Sequence, residues 1–486
     1  MTKQIFNPYL PSYEYVPDGE PRVFGDKLYV YGSHDKFNGE DFCLNDYVCW
    51  SAPINDLTNW RYEGVIYHKS DDPKYKSGKF QHMNAPDVIK GKDGKFYLYY
   101  AFGADFFCSV AVGDSPVGPF KFYGRVSYPN GKIVGKKIKD PFCFDPSIFI
   151  DDDGKIYLYV GFSPVGLFRR LLKLSGLSID GGYGMELEND MKTIKKGSIK
   201  LLIPGEAKAK NTGYQGHGFY EASSMRKINN KYYYVYSSIL SHELCYATSD
   251  SPLGDFTYKG TIVSIGDIGY KGNVISTNQL GNTHGGMVEI NNQHYIFYHR
   301  QTNKQKCARQ GCAEKIYFDK KGDIAQAEVT SCGLNNGPLL GEGSYEARIA
   351  CNLFNQNHGV LFYGSSHEKD ENNIHAYFTQ HGEDREDNPD QYIANITDGT
   401  VVGFKYFNFS TIKTISLTLF SKARGKIIVA LDVETKEKIC EMELEPYSGQ
   451  SVIEAKVYKT INKSSPLYFI YKGEGSWDFI KFDINK

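Results

Sequence analysis

Along most of the chain, apolar and polar positions alternate with a period of two, in short runs that stop at Gly, Asn or Asp. That period places successive side chains on opposite faces of a strand, so these runs predict β-structure rather than helix. One pair of runs is the clearest. Glu221 leads Ala222-Ser223-Ser224-Met225-Arg226-Lys227, an Asn229-Asn230 break follows, and Tyr232-Tyr233-Tyr234-Val235-Tyr236 comes next. The layout recurs four times. Asp18 precedes Arg22-Val23-Phe24, Gly25-Asp26 and Leu28-Tyr29-Val30-Tyr31, and Asp87 precedes Val88-Ile89, Asp93-Gly94 and Phe96-Tyr97-Leu98-Tyr99-Tyr100. Asp145 leads Ser147-Ile148-Phe149-Ile150, Asp153-Gly154 and Ile156-Tyr157-Leu158-Tyr159, while His284 leads Met287-Val288-Glu289-Ile290, Asn291-Asn292 and Tyr295-Ile296-Phe297-Tyr298. Gly, Asn and Asp tolerate the positive φ of a tight hairpin turn, so each unit predicts a β-hairpin.

Five hairpins spaced by roughly 60 to 75 residues are a repeat architecture with room in each unit for two more strands and a long loop, as in a β-propeller. A radial repeat aims equivalent positions at one central channel. Asp18, Asp87, Asp145, Glu221 and His284 are therefore expected to converge from distant parts of the sequence. The repeat occupies residues 1–335. From 336 to 486 the layout is lost, and short strands such as 415–420, 426–432, 439–444 and 467–472 predict a β-sandwich of jelly-roll type. Residues 367–390 are charged and polar and read as a loop. The fold class is all-β throughout.

Composition narrows the partners. The 486 residues carry a formal net charge of -1 with acids and bases interspersed, which gives nucleic acid no basic stripe to bind. No apolar run is long enough to span a bilayer, and Met1 to Pro8 has no signal-like apolar segment, so the chain is expected to be cytoplasmic unless a signal has been removed. Ten cysteines show no disulfide framework and no zinc spacing, so free, mostly buried thiols are expected. The 38 tyrosines fall mostly in regular strand alternation and read as packing between blades.

Two carboxylates facing each other across a sugar-sized gap can hydrolyse a glycosidic bond, one protonating the leaving oxygen and the other activating water or attacking directly. A third acid beside the proton donor raises its pKa and holds it in place. Asp18, Asp145 and Glu221 supply that number of groups. His284 is open to three readings: ligand, hydrogen-bond donor or core histidine. No nucleophile elbow, His-Glu-x-x-His, phosphate loop or dinucleotide fingerprint competes.

Asn7-Pro8-Tyr9 with Pro17-Asp18, Ala85-Pro86-Asp87-Val88, Phe144-Asp145-Pro146-Ser147, Tyr220-Glu221-Ala222-Ser223 and Thr283-His284-Gly285-Gly286 together resemble glycoside hydrolase family 43. The resemblance implies a five-bladed propeller and inverting, single-displacement hydrolysis. By position it makes Asp18 the general base, Glu221 the general acid and Asp145 the residue that tunes and orients the acid. It implies a calcium ion near His284, held largely through water, and no organic cofactor. It gives Arg300 to the terminal sugar and Asp87 to shaping or contacting the substrate. Glu20 stands beside the base as a rival carboxylate, and Ala222 stands where Gly often follows the acid.

The second domain, through Val402 to Phe407 and Gly473-Glu474-Gly475-Ser476-Trp477-Asp478, resembles a family 6 carbohydrate-binding module, with Ser476 where a ligand-contacting Asn is expected. A structural role, with calcium of its own, is the competing reading. The resulting expectation is an exo-acting inverting enzyme that removes terminal α-L-arabinofuranosyl groups from arabinoxylan-type hemicellulose oligosaccharides. The close alternative is a β-D-xylosidase or a bifunctional enzyme; an endo-arabinanase and a non-catalytic sugar-binding propeller stand further off. Oligomeric state is not legible.

Overall fold

The computed structural model describes residues 3–77, 81–103, 105–362, 373–386 and 390–486. Five antiparallel sheets follow one another along the chain. The first four have four strands each, in sequence order from Glu20–Phe24 to Arg61–Tyr67, Met83–Lys90 to Lys121–Arg125, Ser147–Ile150 to Lys200–Pro204, and Phe219–Ile228 to Thr257–Ser264. The fifth has three, Met287–Ile290, Gln293–Thr302 and Gln305–Ile316. These are the blades of the propeller, and the first strand of each lies innermost. The turns follow the sequence. Asn229, Asn230, Asn291 and Asn292 all adopt positive φ, as do Gly25, Gly94 and Gly154.

Each blade packs on the next through a separate apolar core. Tyr29 and Tyr31 meet Val88 and Leu98, Tyr97 and Tyr99 meet Ile148 and Leu158, and Tyr157 and Tyr159 meet Met225 and Tyr234. Tyr233 and Tyr246 meet Ile296 and Tyr298, and Val30 and Trp50 meet Val288 and Phe297, which closes the circle. Most of these tyrosines are packing groups, because the strand period turns their rings into the gaps between sheets. The N-terminal segment seals the ring against the fifth blade. Tyr9 N donates to Gly311 O at 3.3 Å, and the Asn7 amide bonds the backbone of Ala313 in both directions, at 2.9 and 3.0 Å.

The C-terminal part forms two facing sheets, one ordered Leu339–Leu340, Thr400–Asn408, Ser464–Glu474, Arg424–Ala430, Lys438–Leu444, the other Tyr377–Thr379, Tyr392–Ile396, Trp477–Asn485, Thr414–Ser421, Gln450–Lys456. Trp477 is 2% exposed within the shared core and Asp478 accepts the Asn395 backbone N–H at 2.8 Å. The Trp-Asp pair of the module-like motif is thus spent on packing and a backbone cap. Of the stretch read as a loop, 367–372 and 387–389 lie outside the described residues, and the remainder contains the strand Tyr377–Thr379. Beyond that strand the chain reaches the propeller. Tyr15 Oη donates to Gln380 at 2.6 Å, and Arg385 Nη1 donates to both Glu14 oxygens at 2.7 and 2.8 Å.

Candidate active site

Blades one, three, four and five bring Asp18, Asp145, Glu221 and His284 to one place at the mouth of the channel. His284 Nδ1 lies 3.5 Å from Asp145 Oδ2 and 4.0 Å from Asp18 Oδ1. Asp18, Asp145 and His284 are buried, whereas Glu221 is half-buried, so the proposed acid is the carboxyl that opens toward solvent.

The backbone is strained where it presents these groups. Asp18 and Asp145 have φ of 56° and 45°, and Ala222 has φ of 68°. Left-handed backbone costs a non-glycine residue on the order of 1–3 kcal/mol and persists where surrounding contacts impose it. At Ala222 it accompanies a bulge: pairing with the neighbouring strand slips on both sides of Glu221. The bulge re-aims the acid, and Ala222 N donates to Asp145 Oδ2 at 3.2 Å. Asp145 therefore holds the residue after the acid with one contact and His284 with another.

The electrostatics split the carboxyls apart. Burial would raise Asp18, but the charges of Arg309 and His284 overcome it and hold Asp18 down at about 2. Burial and then the nearby Asp145 charge push Glu221 up to about 8. Burial also raises Asp145, opposed by its hydrogen bond with His284. His284 is raised to about 9, because its contacts with Asp145 and Asp18 outweigh the burial that would lower it. At neutral pH this leaves an ionised Asp18 and a protonated Glu221.

Three groups at the base carry no local sequence signature. Arg309 Nη1 donates to Asp18 Oδ1 at 2.9 Å, while its Nε and Nη2 clasp Asp35 at 2.8 and 3.0 Å. Asp18 N donates to His299 Nδ1 at 3.2 Å, which makes that nitrogen an acceptor and the ring neutral; burial lowers it to about 3. The alternation of the strand Gln293–Thr302 holds the only signal. His299 and Gln301 share a face, and Gln301 pairs with Arg309 on the next strand.

That alternation also corrects the expectation for Arg300. Turned to the opposite face, it donates to Ala350 O at 3.1 Å and Gln310 Oε1 at 3.2 Å, with its guanidinium 3.8 Å from the centroid of Phe378. It braces the propeller against the C-terminal sheets instead of facing Asp18. Asp87 is likewise not brought to the acids. Arg22 Nε donates to Asp87 Oδ1 at 2.9 Å, and Asp87 Oδ2 takes both Arg22 Nη2 and the Ile148 backbone N–H. Glu20, the rival carboxylate, accepts from Ser224 Oγ at 3.0 Å and from Arg226, whose Nε donates to Met287 O at 2.7 Å. Glu20, Arg22, Asp87, Ile148, Arg226 and Met287 O thus form a belt that ties the inner strands of all five blades.

The belt bears on calcium. The cation positions in the channel are taken by the guanidinium groups of Arg22 and Arg226, and His284 Nδ1 is engaged by Asp145. Ca²⁺ takes about six to eight oxygen ligands. Within the belt, Glu20 Oε2 is buried without a hydrogen-bond partner, and a divalent ion there would face the like charges of Arg22 and Arg226. Around His284 the protein oxygens Asp145 Oδ2 and Asp18 Oδ1 already carry protein partners, so these side chains supply no oxygen cage of their own, and His284 serves as an ion-pair partner of Asp145. In the C-terminal sheets, among the described residues, no group of three His, Cys, Asp or Glu donors converges.

A propeller whose axis carries one depressed and one raised carboxyl, with a third acid orienting the raised one, is built for hydrolysis of glycosidic bonds. The model of "Glycosyl hydrolases family 43" matches residues 14–324, and the chain belongs to that family. A "Xylosidase/arabinosidase" of Thermoclostridium stercorarium is 43% identical over 495 residues, which span all of this chain and 99% of that protein. A crystal structure of a family 43 arabinoxylan arabinofuranohydrolase from Bacillus subtilis in complex with cellotetraose has the same fold over 99% of this chain and 97% of its own, at TM-score 0.52 and 21% identity. The GH43_1 enzyme from Xanthomonas citri, complexed with xylose, covers 67% of this chain and 93% of its own, at TM-score 0.51 and 25% identity.

Proposed function

We propose that the protein is an exo-acting, inverting pentosidase that releases terminal α-L-arabinofuranosyl groups from arabinoxylan-type oligosaccharides. The observation that carries the reaction class is the opposite polarisation of Asp18 and Glu221. Glu221 delivers its proton to the leaving glycosidic oxygen. Asp18, ionised throughout, orients a water on the opposite face of the sugar and takes its proton as the new C–O bond forms. Burial and then repulsion from Asp145 keep the acid protonated, and Asp145 fixes it through Ala222 N. Both carboxyls reset by exchange with solvent.

The pentose class rests on the full-length similarity to the T. stercorarium protein. That protein's double name, and the xylose held by the X. citri enzyme, favour a second reading, β-D-xylosidase activity in the same pocket. Paired initial rates on aryl α-L-arabinofuranoside and aryl β-D-xyloside, with Asp18→Asn as control, test the proposal. A higher kcat/KM on the arabinoside is expected. Preference for the xyloside installs the second reading, and no release above the control from either substrate overturns both. The first-formed anomer, followed by NMR, is expected to be inverted.

A further inference from the structure

Away from the channel, His217, Glu243 and Cys245 converge in the fourth blade. His217 lies in the loop that enters the inner strand Phe219–Ile228, and Glu243 and Cys245 lie on Glu243–Ser249, two strands further out. His217 Nδ1 stands 2.7 Å from Glu243 Oε1, Cys245 Sγ stands 3.2 Å from the same oxygen, and sulfur and ring nitrogen are 4.0 Å apart. In a tetrahedral zinc site, bond lengths of about 2.0–2.1 Å to N or O and about 2.3 Å to S put ligand atoms roughly 3.4–3.6 Å from one another. The observed triangle differs from that by well under one bond length.

The hydrogen bonding around Glu243 points the same way. Oε1 receives His217 Nδ1, Cys245 Sγ and also Ser238 Oγ at 2.6 Å, three donors where a carboxylate oxygen has two lone-pair sites. Thr261 Oγ1 donates to Oε2 at 2.7 Å. A cation between the three side chains replaces two of the crowding protons and leaves Ser238 and Thr261 as supports for the carboxylate. Glu243 is 3% exposed and Cys245 is fully buried, while the His217 ring is half-exposed and stacked on Tyr258, with 5.2 Å between centroids. The fourth coordination position therefore faces water.

We infer that His217, Glu243 and Cys245 bind a zinc ion in the fourth blade. One nitrogen, one oxygen and one sulfur donor suit this borderline-soft metal, whereas calcium and magnesium demand oxygen. On binding, the thiol proton and the proton on His217 Nδ1 pass to solvent as the Zn–S and Zn–N bonds form. The ion clamps the loop that ends four residues before Glu221, and His217 O is already fixed by Tyr236 Oη at 2.9 Å. This site is independent of the hydrolytic reading.

The test uses the full chain after chelation and dialysis. Titration with ZnCl₂ by calorimetry is expected to show one site per chain and a rise in Tm. Titration with CoCl₂ is expected to produce a thiolate-to-cobalt charge-transfer band. Cys245→Ser should abolish the band, and His217→Gln, at a half-exposed position that leaves the core untouched, should weaken zinc at least about tenfold. Absence of a zinc heat in the wild type overturns the proposal. So does a band and affinity that neither substitution changes, which would place the metal on other thiols.

Discussion

Neutralising Asp145 while keeping its shape, as Asp145→Asn, should move the alkaline limb of the pH–rate profile downward. Glu221 is raised from 4.5 to about 8, and one pKa unit is about 1.4 kcal/mol, so its ionised form is disfavoured by about 5 kcal/mol. Burial is the largest cause and the Asp145 charge the second, so removing that charge should take away part of the rise and leave the part due to burial. His284 works against this. Its pKa of about 9 depends on Asp145, so with Asn at 145 it loses its proton more easily and no longer favours an ionised Glu221. Asp145 outranks His284 among the causes, so the net shift is downward from a limb near 8, on the order of one unit. The sign is fixed, since a general acid works only below its own pKa. The assay is kcat/KM on an unactivated oligosaccharide from about pH 5 to 10, because a good aryl leaving group needs little protonation and hides the acid. A limb that stays at the wild-type pH, or rises, refutes the assignment of Asp145 as the group that tunes Glu221.

Glu221→Gln should lower the rate on oligosaccharides by about 10²- to 10⁴-fold and much less on substrates with good leaving groups. The same substitution should raise Tm at alkaline pH. A folded pKa above the unfolded one gives stability that is lost as pH climbs from about 4.5 to about 8, at most about 5 kcal/mol, and glutamine has none to lose. Thermal scans at pH about 6 and 9 check it. Asp18→Asn should cost a similar factor for every leaving group, with an unchanged circular dichroism spectrum. Arg309→Gln removes the main charge that holds Asp18 near 2 and should lift the acid limb by about 1–3 units, read from the same pH series. Arg300→Met should leave KM unchanged and cost about 1–3 kcal/mol of stability in urea, because its hydrogen bonds run to Ala350 O and Gln310.

The residues that were legible in the sequence and those that were not differ in one physical respect. Asp18, Asp145, Glu221 and His284 each stand at the head of an inner strand, at the same phase of a repeating hairpin. The repeat itself converts sequence position into spatial position, and no tertiary knowledge is needed to bring them together. Asp87 has the same phase but carries a different partner: Arg22, on the neighbouring inner strand of blade one, draws its carboxylate into the belt. A repeat fixes where a Cβ starts and leaves open which charge the side chain will meet. Arg309, Asp35 and His299 have no repeated phase at all. Arg309 reaches Asp18 only because Gln301 and Arg309 are paired across two strands of the last blade, a register that local pattern does not specify. Arg300 shows the same rule from the other side. A single step along a strand reverses the face, and His299 already occupies the face toward Asp18, so its neighbour had to turn toward Phe378. The positive φ at Ala222 explains the departure noted there. Glycine adopts that bulge without strain, while alanine is held in it by the contact of its N–H with Asp145. The acid's aim and the acid's pKa thus depend on the same neighbour, and a substitution at Asp145 should disturb orientation and protonation together.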